Sequence, residues 1–166
     1  MLVLKSGEKD SRKIVYIGLG ANRGERRKNI EKSLEFLNKT EKIDVISVSP
    51  FYDTEPYGYK EQPRFLNGVA KMLTSLKPAS LLKELKKIEK EMGRRKGRKW
   101  GSRIIDLDIL FYNSIIFNDK ELIIPHPELH NRWFVLKPMV DIDPNFEHPV
   151  LKKTVCQLLE ELNGKI

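Results

Sequence analysis

The chain has 166 residues, of which 40% are hydrophobic and 33% are charged, a balance typical of one globular domain with a proper core. It contains no apolar run near the ~20 residues of a membrane span, and its single cysteine, Cys156, excludes an intramolecular disulfide and a Cys-rich zinc site. The net charge of +8 favours an anionic partner, for which nucleic acid, a membrane surface and a nucleotide phosphate are all candidates.

The first half of the chain predicts strands and one amphipathic helix. Residues 1–13 are polar and charged where a signal peptide would be apolar, so we expect an N-terminal extension on a cytoplasmic protein. Apolar residues at i, i+4 and i+7 from Ile30 indicate the helix, and Pro50 ends the second strand. The predicted elements are a strand at Ile14–Leu19, a helix over about residues 25–38, a strand at Ile43–Ser49, an irregular functional loop over residues 51–63 and a strand at Phe65–Leu73.

The second half adds a helix, a strand and further elements. Pro78 opens the helix, and Gly93 stands where a C-cap glycine belongs. The succession β-α-β-β-α-β predicts a ferredoxin-like α+β sandwich, in which helices pack on an antiparallel sheet, here with additional C-terminal elements. We expect residues 14–166 to form a single domain. The remaining predicted elements are a strand over residues 104–111, a short strand at Leu122–Ile124 and an amphipathic tail helix at Val150–Leu162.

The strand over residues 104–111 carries two carboxylates on one face. Because side chains alternate along a strand, Asp106 and Asp108 point the same way, roughly 6–7 Å apart at the backbone. Two like charges repel, and a bound cation such as Mg²⁺ would relieve that repulsion. The alternative is a solvated strand face that happens to carry two aspartates. The opposite, apolar face is predicted to consist of Ile105, Leu107, Ile109 and Phe111.

A cation-rich segment leads into this strand. Gly93–Arg103 holds six cations, three glycines and Trp100. Glycines let a backbone approach a ligand closely, and arginine binds phosphate bidentately. Beside paired carboxylates, this composition favours a site for a metal and a polyphosphate, although a basic surface loop or a nucleic-acid patch would share it. Neither a P-loop nor a dinucleotide-binding glycine pattern is present in the sequence.

Two other groups of residues suit a bound ligand. Phe65 and Asn67 share one face of their predicted strand, and a ring beside a carboxamide suits a planar heterocycle, although an asparagine in a strand is more often structural. His126 lies between two prolines and is followed by Arg132 and Phe134. Near the acidic pair, His126 and Arg132 would extend a phosphate clamp, and Phe134 would supply a second aromatic plate opposite Phe65.

Taken together, these segments resemble the 6-hydroxymethyl-7,8-dihydropterin pyrophosphokinase family of folate biosynthesis. The resemblance covers Ile14 to about Leu162, and its most specific part is Lys99–Leu110. It implies transfer of a pyrophosphoryl group from ATP to the hydroxymethyl group of the pterin, which leaves AMP. The supporting segments are Tyr16–Asn22, Ser49–Tyr52 with Thr54, Gln62–Asn67, Pro125–Pro127 and Asn131–Phe134.

The resemblance also implies roles for individual residues. Asp106 and Asp108 would hold two Mg²⁺ ions and would be catalytic together with Arg94 and Arg103. Binding of ATP would involve Glu89, Lys96, Trp100, Arg103, Ile109, His126 and Arg132. Binding of the pterin would involve Thr54, Glu55, Tyr57, Phe65, Asn67, Trp100 and Phe134.

Two other classes of protein share part of this pattern. A Mg²⁺-dependent nucleic-acid-processing enzyme could use the same acidic pair and basic segment, but it would spread aromatic residues along a groove. A non-catalytic RNA-binding module would carry its aromatic residues in an RNP-type pattern, and the acidic pair would oppose phosphate there. The resemblance implies ATP and hydroxymethyldihydropterin as partners. We expect neither nucleic acid nor a membrane as a partner, and we expect a monomer, with an oligomer left open.

Overall fold

A computed structural model describes residues 11–56, 60–93 and 103–165 of the chain. The strands are β1 (Lys13–Ala21), β2 (Ile43–Val48), β3 (Tyr52–Thr54), β4 (Phe65–Thr74) and β5 (Asp106–Tyr112), with a two-stranded ribbon of β6 (Phe117–Asn118) and β7 (Ile123–Ile124). The main sheet is antiparallel in the order β2-β4-β1-β5, and β3 also pairs with β4. This order, with two helices joining the strands, confirms the predicted ferredoxin-like α+β fold.

The first core lies between the sheet and two helices, α1 (Arg26–Lys39) and α2 (Pro78–Glu91). Val15, Ile17 and Leu19 alternate along β1 and are at most 2% exposed. Burying an aliphatic side chain of this size stabilises a fold by about 1.5–3 kcal/mol, so this central strand anchors the sheet to both helices. The predicted helix over residues 25–38 and the helix opened by Pro78 are confirmed.

A second core covers half of the opposite face. It is formed by a short 3-10 helix (Leu129–Asn131), α3 (Trp133–Ile142) and α4 (Val155–Asn163), which pack over Tyr16 and Phe111. The other half of this face carries the acidic pair of β5 and is left open for a cavity. No helix in the described part of the chain is both long enough and apolar enough to cross a membrane.

The C-terminal helices differ from the prediction. The pattern did not predict α3, which is apolar over most of its length and contains Pro138. The tail helix begins at Val155 and not at Val150, because Thr154 forms a capping box there. The Thr154 hydroxyl accepts the backbone N–H of Gln157 at 3.1 Å, and the Gln157 side chain accepts that of Thr154 at 2.8 Å.

The predicted apolar face of β5 is wrong at Phe111. Ile17 of β1 lies opposite Ile109, but Tyr16 lies opposite Phe111, so Leu110 is an extra residue at a β-bulge. The bulge reverses the alternation, and Phe111 enters the second core with its ring edge-on to Tyr16 at 6.2 Å. Ile105, Leu107 and Ile109 face the first core as predicted.

The predicted loop over residues 51–63 also contains regular structure. Tyr52 pairs with Asn67, and Thr54 pairs with Phe65, so β3 extends the edge of the sheet beyond the end of β2. Phe51, which lies in the chain between β2 and β3, packs beneath β4. A Cβ on Gly68 would come within 2.7 Å of the Phe51 ring. A side chain at Gly68 would therefore displace Phe51, and the short edge strand depends on that close approach.

His148 makes the stability of the fold depend on pH. Burial, and then the charge of His130, lowers the pKa of His148 to about 4, while its Nδ1 accepts the N–H groups of Val150 and Leu151 at 3.1 Å. An unfolded chain takes up this proton near its usual pKa of 6.5, so stability should fall as the pH drops from about 6.5 to about 4. We expect urea midpoints to decline over this window, and less steeply for His148→Asn, whose Oδ1 can accept the same N–H groups. An equal decline in both proteins would contradict this assignment.

Candidate active site

A cavity of about 450 Å³ opens on the uncovered half of the sheet. Its floor is formed by β1 and β5, and its walls by β3 with β4, α2, the β6–β7 turn and the start of α3. The structure thus brings together residues that lie between positions 18 and 135 of the chain. The predicted site residues that line the cavity are Thr54, Glu55, Phe65, Asn67, Glu89, Arg103, Asp106, Asp108, His126, Arg132 and Phe134.

Other predicted site residues are placed elsewhere or lie outside the described residues. The side chain of Ile109 faces the first core and is 3% exposed, because it alternates with Asp108 along β5. It therefore does not line the cavity. The predicted residues outside the described part of the chain are Tyr57, Arg94, Lys96 and Trp100.

The acidic pair lies at the centre of the cavity floor. Asp106 pairs with Gly20 and Asp108 with Gly18, so glycines leave the space beside each carboxylate open. Arg103 Nη1 lies 3.6 Å from Asp106 Oδ1, which places a cation against one side of the pair. Carboxylate oxygens are the donors that Mg²⁺ prefers, and Mg²⁺ usually takes its remaining ligands from water and phosphate. This donor set fits the predicted metal.

The backbone between the two aspartates is fixed by a buried acid. Glu89, at the end of α2, is 5% exposed, and its Oε2 accepts the N–H of Leu107 at 2.9 Å. A buried carboxylate that accepts a backbone N–H forms a strong, charge-assisted hydrogen bond. Glu89 therefore holds β5 in the register that aims both aspartates into the cavity.

Asn22 joins three segments around the cavity and was assigned no role from the sequence. It is 2% exposed, its N–H donates to the Arg103 carbonyl at 3.0 Å, and its Oδ1 accepts the Arg103 N–H at 2.6 Å. Its Nδ2 donates to Gln62 Oε1 at 2.8 Å and to the Pro63 carbonyl at 3.2 Å. The position of an asparagine directly after a buried strand was the available signal. The amide fixes the described end of the basic segment to β1.

The wall formed by β3, β4 and the start of α3, which we call the far wall, presents an amide and two rings. Asn67 is 7% exposed, and its Nδ2 donates to Thr54 Oγ1 at 2.7 Å. A Cβ on Gly20 would come within 3.1 Å of Asn67 Oδ1 and 3.8 Å of the Phe65 ring, so the amide lies directly over that glycine. Phe134 lines the cavity from α3. This wall combines apolar plates with fixed hydrogen-bonding groups.

His126 is held as a neutral hydrogen-bond donor. Burial, and then the charge of Arg132, lowers the pKa of His126 to about 4, although Glu128 and Asp106 act in the opposite direction. The His126 Nδ1 accepts the Glu128 N–H at 3.2 Å, so the ring proton is on Nε2. The Arg132 guanidinium lies 5.8 Å from the centre of the Phe134 ring. At neutral pH this side of the cavity therefore offers an imidazole N–H and a permanent cation.

Residues 16–144 match the sequence profile of the family described as 7,8-dihydro-6-hydroxymethylpterin-pyrophosphokinase (HPPK). The chain belongs to the HPPK family. It is 42% identical over 147 residues to the 2-amino-4-hydroxy-6-hydroxymethyldihydropteridine pyrophosphokinase of Aquifex aeolicus, covering 89% of this chain and 91% of that protein. The predicted family is therefore confirmed.

Some relatives of the chain are longer proteins. The folic acid synthesis protein fol1 of Schizosaccharomyces pombe is 42% identical over 155 residues, which cover 93% of this chain and 21% of that protein. The chain thus spans about a fifth of the length of this fungal relative. Crystal structures of Plasmodium falciparum HPPK-DHPS also match, one with a TM-score of 0.77 at 19% identity over 96% of this chain and 47% of that chain. At that identity, the likeness shows the fold alone.

Proposed function

We propose that this HPPK-family chain transfers the pyrophosphoryl group of ATP to the hydroxymethyl group of 6-hydroxymethyl-7,8-dihydropterin, a step of folate biosynthesis. The reaction forms a bond between the hydroxymethyl oxygen and the β-phosphorus of ATP and breaks the bond from that phosphorus to the α-phosphate oxygen. The products are the pterin diphosphate and AMP. The observation that carries the proposal is the acidic pair, which lies between a cationic side and an aromatic, amide-bearing side of one cavity.

The acidic pair would hold two Mg²⁺ ions, whose charge would neutralise and orient the triphosphate. Asp106 and Asp108 project from a strand held by Glu89, so they present fixed oxygens without reorganisation. Arg103, which lies beside Asp106, would balance negative charge on the transferred group, and we propose the same role for Arg94. These four residues are our proposed catalytic set.

The nucleotide would occupy the side bounded by α2 and the segment from His126 to Arg132. His126 would donate its Nε2–H, and Arg132 would contribute a guanidinium that can bind phosphate bidentately. Binding energy on this side would place the β-phosphorus in line with the acceptor hydroxyl. The full proposed ATP-binding set is Glu89, Lys96, Trp100, Arg103, Ile109, His126 and Arg132, in which Ile109 would contribute its backbone because its side chain faces the first core.

The pterin would lie against the far wall. Phe65 and Phe134 offer two plates for a planar ring, and Asn67, oriented by Thr54, offers its amide to the polar edge of that ring. Trp100 would cover the site and exclude water, which otherwise competes as an acceptor. The full proposed pterin-binding set is Thr54, Glu55, Tyr57, Phe65, Asn67, Trp100 and Phe134.

The deciding experiment is incubation with ATP, Mg²⁺ and hydroxymethyldihydropterin. We expect AMP and pterin diphosphate in equal amounts and no ADP, because the β-phosphorus and not the γ-phosphorus is attacked. A Mg²⁺-dependent nucleic-acid-processing enzyme would instead cleave single-stranded DNA or RNA in the same buffer, and that result without AMP would overturn the proposal. The cavity volume suits a small ligand and not a polymer.

We further propose that the protein is a monomer and that it is located in the cytoplasm. Light scattering tests the first proposal, and cell fractionation tests the second.

A further inference from the structure

The short strand β3 is held through its alternating side chains. On the cavity face of the sheet, the Tyr52 hydroxyl donates to Asp141 of α3, and the Tyr52 ring lies edge-on to Trp133 with centroids 5.4 Å apart. Asp53, which points the other way, binds Arg26 and Arg64 at 2.8 Å each. These two neighbouring residues thus receive contacts from three separate parts of the chain, in addition to the pairing with β4.

The contacts of Tyr52 connect the two parts of the far wall, which are the sheet part with Asn67 and Thr54 and the helix part with Phe134. On the sheet side, Tyr52 lies opposite Asn67 and two residues before Thr54, whose hydroxyl accepts from that same amide. On the helix side, Trp133 precedes Phe134, and Asp141 follows Phe134 by seven residues, or two helical turns, on the same face of α3. Tyr52 itself does not line the cavity.

The hydrogen bond from Tyr52 has an anionic, partly shielded acceptor. The Asp141 side chain is 21% exposed, and its other oxygen accepts from Lys137 at 3.2 Å, which holds the carboxylate in place on the helix. Hydrogen bonding to Asp141 raises the pKa of Tyr52 to about 12. A charge-assisted bond of this kind is stronger than a neutral one.

We propose that Tyr52 is a positioning residue for the heterocyclic substrate, because its tether to Asp141 and Trp133 sets the spacing between the Asn67–Thr54 part and the Phe134 part of the far wall. The inference rests on the proposed function and extends it to residues outside the cavity. A planar ring binds between two plates only at a narrow separation, so loosening the tether weakens pterin binding selectively. The nucleotide side has further supports, since Glu89 of α2 holds Leu107 of β5 and the His126 N–H donates to the Leu110 carbonyl, so we expect ATP binding to depend less on this contact.

The test is Tyr52→Phe, which removes only the hydroxyl. We expect both the KM for the pterin and its Kd without ATP, measured by pterin fluorescence, to rise roughly three- to tenfold, with the KM for ATP unchanged within about twofold. Asp141→Asn should raise the KM and the Kd for the pterin by a smaller factor, because asparagine keeps an uncharged acceptor for the Tyr52 hydroxyl. The double variant should be no worse than Tyr52→Phe alone, since both substitutions break one contact. Tyr112→Phe is the matched control. It removes the hydroxyl of a tyrosine on β5, which donates to the Leu76 carbonyl at 2.7 Å.

Each result decides a separate point. Unchanged pterin constants in Tyr52→Phe overturn the inference while the proposed function stands. Equal increases in both KM values with a lowered Tm also overturn it, because they indicate a general structural role. Trp133→Phe provides a second variant, for which we expect a smaller rise in the pterin constants alone. Absence of AMP formation by the wild-type protein would mean that the proposed function itself fails, and the inference with it.

Discussion

Replacing Asp108 with alanine is expected to reduce AMP formation by at least about 10²–10³-fold, because the carboxylate would hold a metal that neutralises the triphosphate. The fold should persist. Asp108 projects into the cavity, whereas the core-facing side chains of β5, Leu107 and Ile109, are untouched. Removal of one of two like charges should also relieve repulsion with Asp106, so the Tm in metal-free buffer should not fall.

The measurement is AMP release at saturating ATP and pterin, together with thermal unfolding at increasing Mg²⁺ in the presence of ATP. The wild type should be stabilised by Mg²⁺ and ATP together, and Asp108→Ala should lose most of that stabilisation. Asp44→Ala is the control, because Asp44 contacts Arg12 at the β2 edge, away from the cavity. Retention of Mg²⁺-dependent turnover in Asp108→Ala would refute the metal assignment.

The second large effect is expected at Gly20, on the cavity floor between Asp106 and Asn67. Valine is a better strand former than glycine, so Gly20→Val should form β1 at least as readily. Even the Cβ, however, would lie 3.1 Å from Asn67 Oδ1 and 3.8 Å from the Phe65 ring, and the branched methyl groups extend further into the cavity. We expect kcat/KM for the pterin to fall by about 100-fold or more.

A graded series separates this steric effect from misfolding. Gly20→Ala should have a smaller effect than valine, because the Asn67 amide needs to move only a few tenths of an ångström. Stabilisation by ATP with Mg²⁺ should be retained in Gly20→Ala, since its Cβ would lie 4.0 Å from the Asp106 Cβ, an ordinary contact distance. If Gly20→Val binds the pterin as tightly as the wild type, the planar substrate does not lie over this glycine, and the proposed pterin site is misplaced.

Local patterns predicted most of the fold. Ile30 and Leu37 recur at helical spacing and are both fully buried in α1, and the alternation along β1 places Val15, Ile17 and Leu19 in the first core. The pattern failed at α3, where apolar residues on most sides of the helix remove the periodic signal and Pro138 argues against a helix. It failed at Phe111 because a bulge depends on the pairing with β1 and not on the strand itself.

The sequence alone determined which side chains are available for chemistry, because residue type and local spacing put Asp106 and Asp108 on one strand face and Phe65 beside Asn67. Only the tertiary structure decided that these groups share one cavity. That closeness arises from strand order and register, in which β1 brings Gly20 between β4 and β5. The contacts of Asn22 and Tyr52 could likewise not be predicted from the sequence. Each residue joins segments that are far apart in the chain, and the approach of those segments depends on how the two cores pack.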